Sequence, residues 1–367
     1  MEQNLDQKLQ QVCAAFRITD TYLGYEQVQI GIVNRTYKVN FRLKDGKEKS
    51  FLVQNVNTYA FRNPIGLMNN IDLVTEHIRR KCPESISLHF HHTEDRKTYL
   101  IDGENFWRMM NYIPSMTYNS AVDPVILRNA GRAFGEFQMQ LADFEISQLV
   151  ETIPDFHNTR KRYEKLEQAI SEDAAGRVGQ VREEIEYLRS IRDVACTLTD
   201  MGSRGELPLR VTHNDTKINN VLFDCKTNEA LVVIDLDTVM PGLLGHDFGD
   251  AIRFAGNFAP EDCRELDKVG INLDVFRAFS EGFLEKTKNT MTPAEISTLG
   301  LSCVCLTAEL AVRFLDDYLR GDPYFTTGYP EHNLVRTRCQ IALCKDMLKH
   351  MDEMNAIIRG FVEKKTA

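Results

Sequence analysis

Apolar positions at helical spacing between residues 4 and 17 give way to three stretches, YEQVQIG, NRTYKVNFRL and EKSFLVQNV, in which β-forming residues alternate or cluster between Gly and Lys-Asp-Gly breaks. The pattern predicts an opening helix followed by an antiparallel meander. Leu67, Ile71, Val74 and Ile78 then predict a helix over 65–81, and two more strands are expected near 86–92 and 97–101. The segment WRMMNYIPSM, broken at Pro114, reads as the exit from this sheet and as a hinge. Beyond it, 121–143, 156–170, 178–200, 272–288, 293–319 and 333–364 all carry helix-length periodicity, with Asp123 before Pro124 and Thr292 before Pro293 as capping signals. One β-rich island, 209–236, interrupts the helical half. The expected architecture is α+β and two-lobed: an N-terminal antiparallel-sheet lobe over 1–110 and a larger helical C-terminal lobe over 111–367.

Composition narrows the function classes. A chain of 367 residues with 43% hydrophobic and 26% charged residues has the makeup of an ordinary globular protein. Its net charge of −9 argues against a nucleic-acid partner, which calls for a basic face. No stretch reads as an apolar run long enough to span a bilayer, and the polar start MEQNLDQKLQQV lacks the apolar core of a signal peptide; a cytoplasmic protein with no membrane partner is expected. The nine cysteines are scattered, and Cys303 and Cys305 lie in a helical pattern with no second Cys/His pair nearby, so buried thiols are expected in place of a zinc site.

The chemistry concentrates in LRVTHNDTKINNVLFDCKTNEALVVIDLDTV, residues 209–239. Val221–Asp224 and Ala230–Ile234 read as strands joined by the turn CKTNE. A hairpin centred on Thr227 and Asn228 opposes residues whose numbers sum to 455, which sets Asn220 against Asp235. An amide oxygen and a carboxylate so opposed suit Mg²⁺, a hard cation that takes few protein ligands and shares nucleotide phosphates; Asp237 would contribute through water. His213, Asp215, Lys217 and Asn220 form H-x-D-x-K-x-x-N, the spacing of the kinase catalytic loop, in which the Asp accepts the hydroxyl proton and the Asn holds metal. Singly, Asp215 or Asn220 would read as a turn cap. Asp247-Phe248-Gly249 imitates the metal-binding D-F-G of protein kinases, but it lies 32 residues past Asp215, whereas Asp235 lies 20 past and is returned by the hairpin. Asp247 is therefore expected to brace the catalytic loop.

With these motifs the sequence resembles the aminoglycoside phosphotransferase and choline kinase superfamily, and HNDTKINN, VIDLDTVMPG, HDFGDAIRF and RFLDDYLRGDPYF resemble its N-acetylhexosamine 1-kinase branch. The resemblance implies a protein-kinase-like fold with a nucleotide-binding first lobe, ATP and Mg²⁺ as cofactors, Asp215 and Lys217 as catalytic residues, and Asn220 and Asp235 as metal ligands. Gly31, Asn34, Arg35 and Thr36 then form the loop over the phosphates, and Gln54 stands where most kinases carry the phosphate-binding Lys, an exchange that removes a charge. Lys217 would supply charge to the transferring phosphoryl group, or be a solvated loop cation. Glu76 is expected to anchor Gln54, and the hinge near Met110 to Ile113, Met110 and Tyr112 included, to offer backbone groups to adenine. On the acceptor side the resemblance implies Arg313, Tyr324 and Phe254, with an Arg313–Glu309 ion pair and core packing of Phe254 as plainer readings. The implied partner is a small sugar whose anomeric hydroxyl is phosphorylated, handled by a monomer or weak homodimer. A kinase of another hydroxyl acceptor such as an amino alcohol, or an ATP-binding pseudokinase, remain alternatives.

Overall fold

The computed structural model describes residues 2–28, 33–120 and 123–363. They fall into two compact units, one made of 1–116, 143–154 and 234–240, the other of 117–142, 155–233 and 241–367.

The first unit opens with helix α1 (Glu2–Ala15) and strands β1 (Thr21–Val28), β2 (Arg35–Arg42) and β3 (Glu48–Val56), followed by α2 (Pro64–Lys81), β4 (Leu100–Asp102) and β5 (Asn105–Asn111). The strands form one antiparallel sheet in the order β1-β2-β3-β5-β4. Alternation sends Tyr37, Val39, Phe41, Phe51, Val53, Trp107 and Met109 to one face, where they close over Leu9, Val12, Cys13 and Phe16 of α1. The expected exit segment WRMMN is instead an inner strand, β5, paired with β3 along its length. Its side chains are buried on both faces, which erased the alternation that marks a half-buried strand. The strand expected over 86–92 is reduced to a single bridge, Phe90 to Met110.

Asn70 of α2 draws the two returning segments into this unit. It donates to the carbonyls of Val150 (2.8 Å) and Val239 (3.0 Å) and accepts from the Val150 N–H (3.0 Å). A buried amide with three such bonds fixes two chain segments at once.

The second unit contains α3 (Pro124–Gln140), α4 (Thr159–Glu172), α5 (Arg182–Ser190), α6 (Arg192–Ala195), α7 (Thr197–Ser203), strands β6 (Arg210–Thr212), β7 (Val221–Phe223) and β8 (Ala230–Val233), then α8 (Leu244–Ala255), α9 (Leu273–Thr287), α10 (Pro293–Leu319), α11 (His332–Lys349) and α12 (Met351–Glu363). Asp123 accepts from Val125 N–H at the start of α3, and Thr292 forms a reciprocal cap with Glu295 at the start of α10. The expected helix over 178–200 is broken into short pieces, 333–364 divides between α11 and α12, and α8 was missed. By length and composition α10 is long and apolar enough to cross a membrane, an exception to the expectation of no such run, and 83% of its most apolar window is buried.

Candidate active site

The loop between β6 and β7 carries the kinase-like motif and is held by its backbone. Asp247 in the first turn of α8 accepts the N–H groups of His213 (3.0 Å) and Asn214 (2.8 Å) and the side-chain amide of Gln138 (2.7 Å), while its carbonyl accepts the Thr216 hydroxyl (2.6 Å). Asp250, one turn on, accepts Thr216 N–H (3.0 Å). Burial opposes the charge on Asp250, but the Arg253 guanidinium and the Lys217 ammonium prevail and hold its carboxyl below the ordinary value. The D-F-G look-alike is thus a loop brace, as its spacing suggested.

The loop itself turns sharply at Asn214, a non-glycine residue in the left-handed region (φ 64°), and presents Asp215 immediately after. The Asp215 N–H donates to Nδ1 of His213 (3.3 Å), whose ring is buried against the edges of Phe134 and Phe137. Lys217 Nζ lies 3.0 Å from Asp215 Oδ1. Burial lowers the Lys217 pKa, yet Asp215 and Asp250 outweigh it and the net direction is upward, so the lysine is held charged beside the candidate base. Asn220 donates through Nδ2 to the Asp215 carbonyl (2.8 Å), which commits the nitrogen end of its amide to the loop.

A second brace comes from His157, whose Nδ1 faces Glu309 Oε1 at 2.9 Å and whose Nε2 faces the Asn214 carbonyl at 3.3 Å. Glu309 also accepts the Thr159 hydroxyl (2.7 Å). Burial would raise the Glu309 carboxyl, but His157 and these bonds bring it down to about 2. Neighbouring His246 is buried and pushed down to about 3, chiefly by desolvation and then by His157; its Nδ1 accepts the Leu243 N–H (3.3 Å), a bond only the neutral ring can make. Sequence reading missed His157, which no motif marked.

The hairpin differs from expectation by one position. Val221 pairs with Val233 and Leu222 with Val232, and the ladder goes no further toward 220 and 235. Asp224 takes the N–H groups of Lys226 (2.8 Å) and Thr227 (2.9 Å), and Asn228 turns left-handed (φ 58°), so the turn closes earlier than a hairpin centred on 227 and 228.

In the first unit, Thr36, Gln54 and Arg108 occupy one row across β2, β3 and β5. Gln54 Nε2 donates to the Thr36 hydroxyl (2.9 Å), and Arg108 Nε donates to Gln54 Oε1 (2.8 Å). Arg108 also forms a buried ion pair with Asp237, and Asn34 Nδ2 donates to the other Asp237 oxygen (2.7 Å). Asp237 is therefore a buried anchor, not the water-mediated metal contact expected of it. Glu76 pairs with Arg79, so the partner expected for Gln54 is replaced by Arg108. Arg35 is exposed and, by alternation, leaves the face shared by Thr36 and Gln54. Gly31 lies outside the described residues. Asp235 is exposed and left-handed (φ 61°), leading the short turn Leu236–Thr238. Met110 stands inside the sheet between Leu52 and Phe90, and the Tyr112 N–H donates to the Ser50 carbonyl (3.3 Å). A groove of about 660 Å³ behind Tyr112 is lined by Lys49, Arg79 and His89, among others, and includes none of the row residues.

Of the residues expected to hold the acceptor, the Arg313 guanidinium lies 5.6 Å from the Phe156 ring centroid and 5.5 Å from that of Phe325, while Glu309 is bonded to His157. Tyr324, 72% exposed, packs edge-on to Phe325 (4.8 Å). Phe325 thus gathers Arg313 and Tyr324; Phe254 is half-buried on α8. Burial and the Arg313 charge push the nearby Arg162 guanidinium downward.

Asn220 and Asp235, the expected metal ligands, fall in different units, and each carries a hard side-chain oxygen of the kind Mg²⁺ takes. Among the described residues no group of three or more His, Cys, Asp or Glu forms a self-sufficient metal cage.

A family model described as a phosphotransferase enzyme family (APH) matches residues 26–273. Among solved structures, a microcompartment-associated aminopropanol kinase superimposes with a TM-score of 0.61 at 14% identity, covering 95% of this chain and 98% of the other. An amicoumacin kinase in complex with AMP-PNP, Ca²⁺ and Ami gives 0.57 at 12% identity, covering 92% of each chain. A choline kinase from Cryptosporidium parvum gives 0.54 at 12% identity, covering 97% of this chain and 100% of the other. These likenesses establish the kinase-like fold of an antiparallel N-terminal sheet with a mostly helical remainder, and the family match over most of its length makes this chain a member of the APH phosphotransferase family.

Proposed function

We propose that the protein is an ATP-dependent small-molecule kinase that phosphorylates a sugar hydroxyl, with the anomeric hydroxyl of an N-acetylhexosamine as the favoured acceptor. The observation that carries the phosphoryl-transfer reading is the loop around Asp215: a carboxylate that follows the left-handed Asn214, a charged Lys217 at 3.0 Å and an Asn220 whose side-chain nitrogen is bonded to the Asp215 carbonyl at 2.8 Å. Asp215 accepts a hydrogen bond from the acceptor hydroxyl and takes its proton as the oxygen–phosphorus bond forms and the bond to the ADP oxygen breaks. Lys217 orients Asp215 before reaction and lends positive charge to the transferring group. Asn220 and Asp235 are the residues that would hold a divalent ion, which when bound would supply positive charge against the phosphates. Asn34, Thr36 and Gln54 present donors on the nucleotide side.

Arg313 favours a neutral sugar over a cationic amino alcohol. It sits between the very rings, Phe156 and Phe325, that a quaternary ammonium would seek, and Arg162 adds a second cation nearby. The names of the structural neighbours support the rival reading, an amino alcohol acceptor. An acceptor panel scored by ADP release, with product position fixed by phosphorus NMR, separates the two: a sugar 1-phosphate supports the proposal, and turnover of amino alcohols alone overturns the sugar assignment. Asp215→Asn is expected to cut kcat by about a thousandfold or more while calorimetric nucleotide binding persists; an unchanged kcat removes Asp215 as the base.

A further inference from the structure

We propose that Arg108 is a positioning residue that takes the place of the strand lysine of other kinases, closing a ring of polar contacts that joins the nucleotide-side row to the segment bearing Asp235. The inference rests on the nucleotide-binding reading above. Starting at Asn34, the ring passes to Asp237 (2.7 Å), through the buried ion pair to Arg108, on to Gln54 (2.8 Å) and then to the Thr36 hydroxyl (2.9 Å), two residues from its origin. Asn34 is also held from behind, its oxygen accepting the Asn57 N–H (3.0 Å).

Every member uses a property that its obvious replacement lacks. Arg108 is planar and forked, so Nε reaches Gln54 while Nη1 reaches Asp237; an ammonium would serve one of them at a time. Gln54 supplies an acceptor to Arg108 and a donor to Thr36, and the amide is therefore oriented by its neighbours. A lysine at 54 would set a second cation against Arg108 and delete the acceptor. Gln54 and Arg108 are thus a matched pair, in which the charge lost from β3 reappears one strand away on β5. Arg108 and Asp237 are 2% and 3% exposed, so neither tolerates loss of the other. Asp237 in turn fixes the turn that holds Asp235 in its left-handed conformation, a geometry that a non-glycine residue keeps only when its surroundings enforce it. The arrangement makes the nucleotide row and the Asp235 segment move as one, so nucleotide affinity and its dependence on metal respond together to Arg108.

The test uses the full chain and calorimetric binding of ADP with and without Mg²⁺, with melting temperature recorded for each variant. Gln54→Lys alone is expected to weaken Mg-ADP binding by about tenfold or more and to shrink the gain that Mg²⁺ brings, whereas Gln54→Lys combined with Arg108→Gln recovers most of the loss. Arg108→Met, if it folds, loses the Mg²⁺-dependent part of binding, and Arg108→Lys restores it in part. A double variant no better than Gln54→Lys, or a folded Arg108→Met within twofold of wild type, overturns the proposal. Failure of the wild-type protein to bind ADP at all is a separate result that removes the nucleotide reading itself.

Discussion

In the sheet unit, polar side chains are held by other side chains: Thr36, Gln54, Arg108, Asp237 and Asn34 face one another across strands and a returning turn. In the helical unit the reverse holds, because Asp247, Asp250 and, through His157, Glu309 grip the backbone of residues 213–216. The first arrangement depends on which side chains occupy the row, and substitutions there are felt through matching of charge and shape. The second depends on a fixed main-chain path, so Asp215 and Lys217, the proposed reacting side chains, are positioned by the backbone that carries them.

The sharpest contrast should come from truncating one anchor in each unit. Asp247→Ala strands two backbone N–H groups in the interior and is expected to cost about 3–5 kcal/mol in urea unfolding, against about 1 kcal/mol for Gln54→Ala, which is half-buried and leaves Arg108 its ion pair with Asp237. Equal losses would erase the distinction. Glu309→Gln, which breaks a buried pair without emptying space, should cost about 3 kcal/mol and depress kcat through the loop while leaving ADP binding in place.

A further effect is one of pH. His246 has its folded pKa near 3, below the ordinary 6.5, so the unfolded chain binds more protons between those values; its stabilising share is intact above about 6.5 and is lost as pH falls toward 3. Glu309, near 2 against an ordinary 4.5, adds a loss that begins below about 4.5. Urea midpoints measured from pH 7 to 4 should decline in wild type and decline less in His246→Phe. A parallel decline in both proteins would place the acid sensitivity elsewhere.

Much of the fold was legible because its signals are local. Helix caps at Asp123 and Thr292, the periodicity of α2 and the alternation in β2 and β3 each sit within a few residues, and the structure follows them. The catalytic-loop spacing likewise compresses into eight positions, from His213 to Asn220. What escaped were contacts made across the chain. Arg108 lay in a segment read as an exit, since full burial hid its strand character, and its partners are 54 and 129 residues away. His157 stands beside Asn214 because of helix packing that no periodicity encodes. The hairpin register slipped by one because the Asp224 carboxylate, acting on its own neighbours, decided where the turn closed.

The return of residues 143–154 and 234–240 to the first unit has a bearing on how this chain can be divided. A fragment ended at 116 would keep Arg108 and Asn70 yet lose Asp237, Val150 and Val239, leaving a guanidinium without its counter-ion and an amide without its carbonyls in the interior. The sheet is contiguous in sequence, but its polar filling is delivered by a later part of the polypeptide, so the amino-terminal piece is unfit to be swapped, expressed or inherited as a cassette by itself.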